Sequence, residues 1–164
     1  MTSGKVTIFM GDGYGKSAAA LGIAMKRASE HDRVVIIQFL KGKGITDSEF
    51  TKRLEPEIKI FRFEKSEIDY LERTPEEQKE AAVNIRNGLN YARKVLATGE
   101  CNLLILDEVL EVVNKGIISV EDLKELVESG MDTDIIITGS DMNVEVCKFA
   151  DRISEIGNLQ FRNF

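Results

Sequence analysis

The chain has 164 residues, of which 43% are hydrophobic and 30% charged, and its formal net charge at pH 7 is −6. These values predict one globular domain over residues 1–164, because a chain of this size and composition can bury a sizeable core. The acidic balance implies no general affinity for nucleic acid, and no apolar run approaches the roughly 18–20 residues that a membrane span needs.

Histidine and cysteine usage narrows the possible chemistry further. His31 is the only histidine, which excludes metal sites built from several histidines and argues against a Ser-His-Asp triad. Cys101 and Cys147 are too few and too far apart to suggest a disulfide framework or a zinc site. We expect them to be buried apolar positions, and we expect the chain, which shows no signal-peptide core, to be cytoplasmic.

A glycine-rich loop near the N-terminus carries the first functional signal. An apolar run over residues 6–10 precedes it, and a helical segment rich in small residues follows it over residues 18–28. Glycines let backbone N–H groups turn toward anionic oxygens, and the following helix directs the positive end of its dipole there. This context predicts a phosphate-binding loop. The residues expected to bind the nucleotide are Gly11, Asp12, Gly13, Tyr14, Gly15, Lys16, Ser17 and Ala18.

The loop is a variant, since Met10 stands where the standard pattern has its first glycine. Lys16 would supply a mobile positive charge to the phosphates, and Ser17 a hydroxyl for Mg²⁺. The alternative is a glycine-rich turn that happens to precede Lys-Ser. In the helix that follows, the spacing predicts an inward face, formed by Ala18, Leu21, Gly22 and Met25.

The next elements read as two strands separated by a loop. Residues 34–40 are almost continuously apolar, which predicts a buried parallel strand. Residues 41–48 show no periodicity and are interpreted as a loop at the carboxyl end of that strand, where open α/β sheets bind ligands. Residues 57–63 alternate partly and predict a third strand.

A long helix is predicted from its end signals. Thr74 is the expected cap, Pro75 lies at the first helical position and Glu77 completes a capping box. Gly99 is expected to end the helix. Its apolar stripe is interpreted as sheet-facing core, with a partner interface as the alternative; it comprises Ala82, Ile85, Leu89, Ala92 and Leu96.

Two acids at the end of an apolar run give the second functional signal. Asp107 and Glu108 directly follow an apolar stretch over residues 103–106. A carboxylate at the end of a central strand can hold Mg²⁺ against bound phosphates. We therefore predict a metal site formed by Asp107 and Glu108 together with Ser17; the alternative is a strand that ends in solvated acids.

The remaining sequence continues the alternation of helices and strands. Ser119 is expected to cap a helix that ends before Gly130. A buried strand over residues 134–140, a short helix over 143–150 and a last strand over 151–156 follow. This order predicts an α/β fold of the P-loop NTPase-like (RecA-like) class, with a mainly parallel sheet and helices on both faces.

These motifs together resemble the ATP:corrinoid adenosyltransferases of the cobalamin pathway. The loop over residues 11–20 is similar to that family's variant loop, which also lacks the first standard glycine. Further matches follow in the same order over residues 4–156: Gln38-Phe39-Leu40-Lys41-Gly42, Ile105-Leu106-Asp107-Glu108, Thr138-Gly139 and Ala150-Asp151 with Ser154-Glu155.

The sequence also departs from the family pattern. Tyr14 stands where the family usually has Lys, and Ser140 where it usually has Arg. The segment over residues 64–70 and both ends lack features with which the family handles the corrinoid and covers ATP. The nucleotide half of the expected site is therefore better supported than the corrinoid half.

The resemblance implies that the 5′-deoxyadenosyl group of ATP moves to the Co(I) of a corrinoid and that tripolyphosphate leaves. It implies Lys16 and Glu108 as the catalytic residues, Gln38 and Lys41 as further binding residues, and Mg²⁺ as cofactor. It also implies a homodimer and a flavoprotein reductant, and neither nucleic acid nor membrane as a partner.

Two other classes of function stay open at this point. One is a P-loop kinase or NTPase of another specificity, in which Asp107 or Glu108 would orient the attacking group. The other is a nucleotide-dependent binding protein that has lost the corrinoid site. The products separate them: tripolyphosphate indicates the transferase, ADP or phosphate a kinase or NTPase, and no turnover a binding module.

Overall fold

The structure is a computed structural model that describes residues 3–12, 14–40, 48–64 and 66–161. It contains six strands: β1 Val6–Met10, β2 Val34–Gln38, β3 Ile58–Arg62, β4 Leu103–Asp107, β5 Asp134–Gly139 and β6 Arg152–Glu155. It contains a 3₁₀ turn at Tyr70–Glu72 and six α-helices: α1 Lys16–Ser29, α2 Glu49–Lys52, α3 Pro75–Thr98, α4 Val109–Asn114, α5 Val120–Glu128 and α6 Val144–Cys147.

The strands form one sheet in the order β3-β2-β4-β5-β1-β6. All the neighbouring pairs are parallel, so the carboxyl ends of the strands meet at one edge. The strand that leads into the glycine loop, β1, is separated from the strand that delivers the acids, β4, by β5 alone. This arrangement brings the two functional signals of the sequence to the same edge.

Helices cover both faces of the sheet, as the sequence predicts. Every residue of β2 and β4 is buried, because alternate side chains of these strands pack on opposite sides. On one face Ile36 and Ile105 pack with Ala20 and Ala24 of α1. On the other face the core is formed with α3, α4, α5 and α6.

The predicted inward face of α1 is wrong at three of its four positions, since only Leu21 packs against the core. Ala18, Gly22 and Met25 are exposed, whereas Ala20 and Ala24 are the buried residues of the helix. Small apolar residues occur on several sides of this segment, so its periodicity does not define one face. The packing of α1 on the sheet selects the Ala20–Ala24 side instead.

The predicted ends of α3 are confirmed. The Thr74 hydroxyl accepts a hydrogen bond from the Glu77 N–H at 3.3 Å, and the Thr74 N–H donates to Glu77 Oε2 at 2.9 Å. Gly99 follows the helix with φ of 65°, a conformation that glycine adopts without a Cβ clash. The buried side of α3 comprises Ala81, Ile85, Gly88, Leu89, Ala92, Val95 and Leu96.

The two cysteines differ in their surroundings. Cys101 is buried, as predicted, and burial raises the pKa of its thiol to about 12. Cys147 is only partly buried. In the described part of the chain, none of the helices has the length and apolar character needed to cross a membrane.

Candidate active site

The glycine loop ends in a helix N-terminus that is arranged to receive an anion. Gly15 precedes α1 with φ of 111° and ψ of 6°, a backbone conformation that residues other than glycine rarely adopt. No described side chain caps α1, and its first turn holds no acid. By contrast, α3 and α5 both begin with capping boxes. The positive end of the α1 dipole is thus available to an external anion such as phosphate.

Gly11 serves the packing of the loop against its neighbours. Its N–H donates to the Ser140 carbonyl oxygen at 3.0 Å. Its φ is 117°, and a Cβ at this position would lie 2.3 Å from the Ile156 carbonyl oxygen. Any larger residue would therefore push the loop away from the end of β5 and from the chain after β6.

The remaining residues of the loop are open to solvent to different degrees. Asp12 and Tyr14 are exposed, with 93% of Tyr14 accessible, while Lys16 and Ser17 at the start of α1 are partly buried. The predicted binding residue Ala18 is exposed in the first turn of α1. Gly13 and Lys41, which the sequence also predicts to bind, lie outside the described residues.

The Asp107 carboxylate joins the loop to the central strand. Ser17 Oγ donates a hydrogen bond to Asp107 Oδ1 at 2.9 Å, although the two residues are 90 positions apart in the sequence. Asp107 is only 2% exposed, so its charge must be compensated by hydrogen bonds or by a cation. Gln38, the neighbour of Asp107 in the β2–β4 pairing, donates from Nε2 to Oδ2 at 3.4 Å.

Thr138 completes this network, and sequence reasoning did not assign it a role. Its side chain is fully buried at the end of β5. Thr138 Oγ1 donates to Asp107 Oδ1 at 2.7 Å and accepts the Glu108 N–H at 2.9 Å. The available signal was a lone polar residue at the end of an apolar run, on a strand that runs beside the acidic strand.

Glu108 adopts an unusual backbone conformation next to this network. Its φ is 64° although it is not glycine, and it immediately precedes α4. A left-handed conformation costs free energy for such a residue and persists where the surroundings fix it. The hydrogen bond from its N–H to Thr138 is one such constraint. Glu108 is thereby held at the carboxyl edge, beside Asp107.

Glu111 is a second residue whose role the sequence did not reveal. Its Oε1 accepts the backbone N–H of Ser140 at 2.8 Å and that of Asp141 at 3.3 Å. Because the Ser140 carbonyl in turn accepts the Gly11 N–H, Glu111 connects α4 to the glycine loop through the end of β5. Ser140 therefore acts through its backbone in this structure.

The oxygen atoms at this edge suit a hard divalent cation. The Ser17 hydroxyl and the Asp107 carboxylate lie within 2.9 Å of each other, and such oxygens are the ligands that Mg²⁺ prefers. Gln38 is 1% exposed, and its Oε1 has no hydrogen-bond partner among the described residues. A buried acceptor of this kind is suited to a water molecule of a hydrated Mg²⁺. The described residues form no cluster of three His, Cys, Asp or Glu side chains that could hold a metal, so phosphate and water would have to complete the coordination.

A cavity of about 340 Å³ lies elsewhere, between α1 and the β5-β1-β6 side of the sheet. Several of the charged residues that line it already form hydrogen bonds or ion pairs within the protein. Arg27 bonds both Asp32 and Asp134, and Asp151 accepts the Val6 N–H. This cavity is a gap beside α1 whose charged residues lie toward the opposite end of the strands from the glycine loop, and we assign it no part in the site.

Comparison with known proteins relates the chain to one family of enzymes. The family model described as ATP:corrinoid adenosyltransferase BtuR/CobO/CobP matches residues 2–162. A corrinoid adenosyltransferase of Escherichia coli (strain K12) is 26% identical over 154 residues, which cover 93% of this chain and 76% of that protein. The corrinoid adenosyltransferase CobA of Salmonella typhimurium is 24% identical over 155 residues, with the same coverage of both chains.

Two further similarities concern a longer protein and the fold. An uncharacterized protein of Nostoc sp. is 31% identical over 159 residues, which cover 84% of this chain and 39% of that protein. The crystal structure of a KaiC-like protein from Pyrococcus horikoshii superimposes with a TM-score of 0.59 at 17% identity, covering 93% of this chain and 71% of that one. The latter confirms the predicted P-loop NTPase-like, RecA-like fold. With the family model spanning almost its whole length, the chain belongs to the ATP:corrinoid adenosyltransferase family and is an enzyme of the transferase class.

Proposed function

We propose that this protein transfers the 5′-deoxyadenosyl group of ATP to the cobalt of a reduced corrinoid. Co(I) is the nucleophile and donates its electron pair to C5′ of the ribose. The cobalt–carbon bond forms as the C5′–O5′ bond breaks, and tripolyphosphate leaves with the bonding electrons. The reaction requires no amino-acid nucleophile.

The single observation that carries the nucleotide half of this proposal is the 2.9 Å hydrogen bond from Ser17 Oγ to Asp107 Oδ1. It joins the last residue of the glycine loop motif to the acidic end of β4, as a shared Mg²⁺–triphosphate site requires. The alternative of solvated acids at a strand end does not suit Asp107, which is buried and bonded to Ser17, Thr138 and Gln38.

In this reaction the protein positions ATP and neutralises the charge of the leaving group. We assign the triphosphate to the loop amides, the α1 N-terminus and Lys16. Ser17, Asp107 and Glu108 would hold Mg²⁺, which supplies charge neutralisation on the phosphate oxygens. Gln38 and Thr138 orient the Asp107 carboxylate, so Gln38 contributes to the site by holding this carboxylate.

The corrinoid is assigned to the chain segments beside β2 and β3 at the same edge. Leu40, Tyr70, Arg73 and Lys115 line a cavity of about 200 Å³ there. The segment after β3 is fixed internally, because the buried Arg73 pairs with the buried Glu64 at 3.4 Å and donates to the Ile68 carbonyl at 2.9 Å. Together with residues 41–48, this segment would contact the corrinoid and exclude water.

We also propose, on family resemblance, that the protein works as a cytoplasmic homodimer and receives electrons for cobalt reduction from a flavoprotein.

The test is incubation with ATP, Mg²⁺ and chemically reduced cobalamin, followed by the corrinoid spectrum and analysis of the phosphate products. The proposal predicts adenosylcobalamin and tripolyphosphate in equal amounts. Formation of ADP or phosphate without adenosylcobalamin would replace the proposal with a kinase or NTPase activity. ATP binding without turnover would replace it with a nucleotide-dependent binding function.

A further inference from the structure

The chain after β6 runs along the glycine loop and contacts it at successive positions. The Ile156 N–H donates to the Met10 carbonyl at 2.8 Å. The Ile156 carbonyl lies close to Gly11, since a Cβ built on Gly11 would be 2.3 Å from the Ile156 carbonyl oxygen. Two residues further on, Asn158 Oδ1 accepts the Tyr14 N–H at 3.1 Å. We name residues 156–161 the tail.

The contact with Asn158 is the hydrogen bond that holds Tyr14 in the loop. The Tyr14 side chain is 93% exposed and therefore anchors nothing, and Tyr14 makes no other hydrogen bond to the described residues. Gly15, which follows it, has the conformational freedom of glycine. A segment of this kind loses much backbone entropy when it is ordered around a phosphate.

We propose that Asn158 is a positioning residue for the triphosphate, because its carboxamide oxygen fixes the Tyr14 backbone and so preorganises the loop before ATP binds. The inference rests on the proposed nucleotide site. Asn158 touches the loop and need not touch ATP, so its effect is transmitted through the conformation of Tyr14 and Gly15. Preorganisation of this kind increases affinity by reducing the ordering cost of binding.

The test is Asn158→Ala, with Leu159→Ala as the matched control in the tail. Asn158 is exposed and Leu159 is 83% exposed, so neither substitution removes core packing. Loss of one neutral hydrogen bond in Asn158→Ala should raise the KM for ATP by about three- to tenfold with kcat little changed. Leu159→Ala should leave KM and kcat as in the wild type.

Amide exchange separates positioning from a general effect on the tail. The Tyr14 amide, followed by NMR in ¹⁵N-labelled protein, should exchange faster in Asn158→Ala and at the wild-type rate in Leu159→Ala. Asn158→Asp keeps an acceptor oxygen at the same place and should restore the slow exchange of Tyr14.

The results distinguish this proposal from the one on which it rests. If the wild type binds ATP and Asn158→Ala has an unchanged KM and unchanged Tyr14 exchange, the positioning role is wrong. A lower KM in Asn158→Ala would also overturn it, since the tail would then obstruct the loop. If the wild type itself binds no ATP, the proposed nucleotide site fails, whereas the exchange experiment still reports whether Asn158 holds Tyr14.

Discussion

Lys16 is the cation that the loop presents at the start of α1, where the helix dipole also favours an anion. Lys16→Ala should therefore reduce ATP affinity or turnover more than tenfold, equivalent to about 1.4 kcal/mol or more. The measurements are the dissociation constant and KM for ATP. Lys26→Ala is the control, because Lys26 is an exposed lysine in the last turn of the same helix. Equal ATP binding by the two variants would remove Lys16 from the site.

Glu108 is held at the carboxyl edge in a left-handed conformation beside the buried Asp107. Glu108→Gln keeps the shape of the side chain and removes its charge, so we expect a higher Mg²⁺ concentration for half-maximal activity. A Mg²⁺ titration measures this, with Glu125→Gln on the exposed side of α5 as the control. A Mg²⁺ dependence identical to that of the wild type would make Glu108 a strand end without a metal role.

Thr138 is both donor to Asp107 and acceptor for the Glu108 N–H. Thr138→Val keeps the approximate volume but leaves the buried Asp107 carboxylate and the partly buried Glu108 N–H each short of a partner, at a cost of up to about 1–3 kcal/mol per group. We expect a lower free energy of unfolding, measured with denaturant, and a weakened Mg²⁺ response. Thr138→Ser retains the hydroxyl and should behave much more like the wild type. If Val and Ser variants are equally stable, the hydroxyl has no structural role.

At the scale of whole elements, α3 is the helix whose ends are fixed by local sequence. Thr74→Ala removes the side-chain acceptor for the Glu77 N–H and should destabilise the protein by about 1 kcal/mol. Denaturant unfolding gives this value, and Thr74→Ser should recover most of it. A Thr74→Ala variant as stable as the wild type would show that packing alone determines where α3 begins.

The elements that the sequence predicted well are those with strong local signals. The apolar runs of β1, β2 and β4 and the caps of α3 and α5 depend on neighbours within the same segment. The inward face of α1 was wrong because its small residues do not define one side. The helix α4 was not predicted, since the left-handed conformation of Glu108 that precedes it is imposed by contacts with β5.

The candidate site, too, could be predicted only where the signal lies within one short segment of the sequence. Glycine, lysine, serine and acidic residues were recognisable from type and spacing, and the structure brings Ser17 and Asp107 together. The roles of Thr138, Glu111 and Asn158 depend on contacts between residues that are distant in sequence. For Glu111 and Asn158 no local pattern contains that information, and for Thr138 the only local signal is its position as a polar residue at the end of an apolar run.

At the scale of the whole molecule, strand order determines what the site can do. Because only β5 lies between β1 and β4, the glycine loop and the acids are close together at the carboxyl edge, and we propose the β2–β3 side of that edge as the place of the second substrate. A parallel sheet has all these loops at one edge, which suits the adjacent places that we propose for ATP and a corrinoid.

The most direct test of this account follows the carbon atom that is transferred. ATP labelled with ¹³C at C5′ is incubated with the protein, Mg²⁺ and chemically reduced cobalamin, and the corrinoid product is examined by ¹³C NMR. We expect the label to be bonded to cobalt, and we expect Lys16→Ala to form this product more than tenfold more slowly. Label that stays in ATP or appears in ADP, with none on the corrinoid, would contradict the proposed reaction.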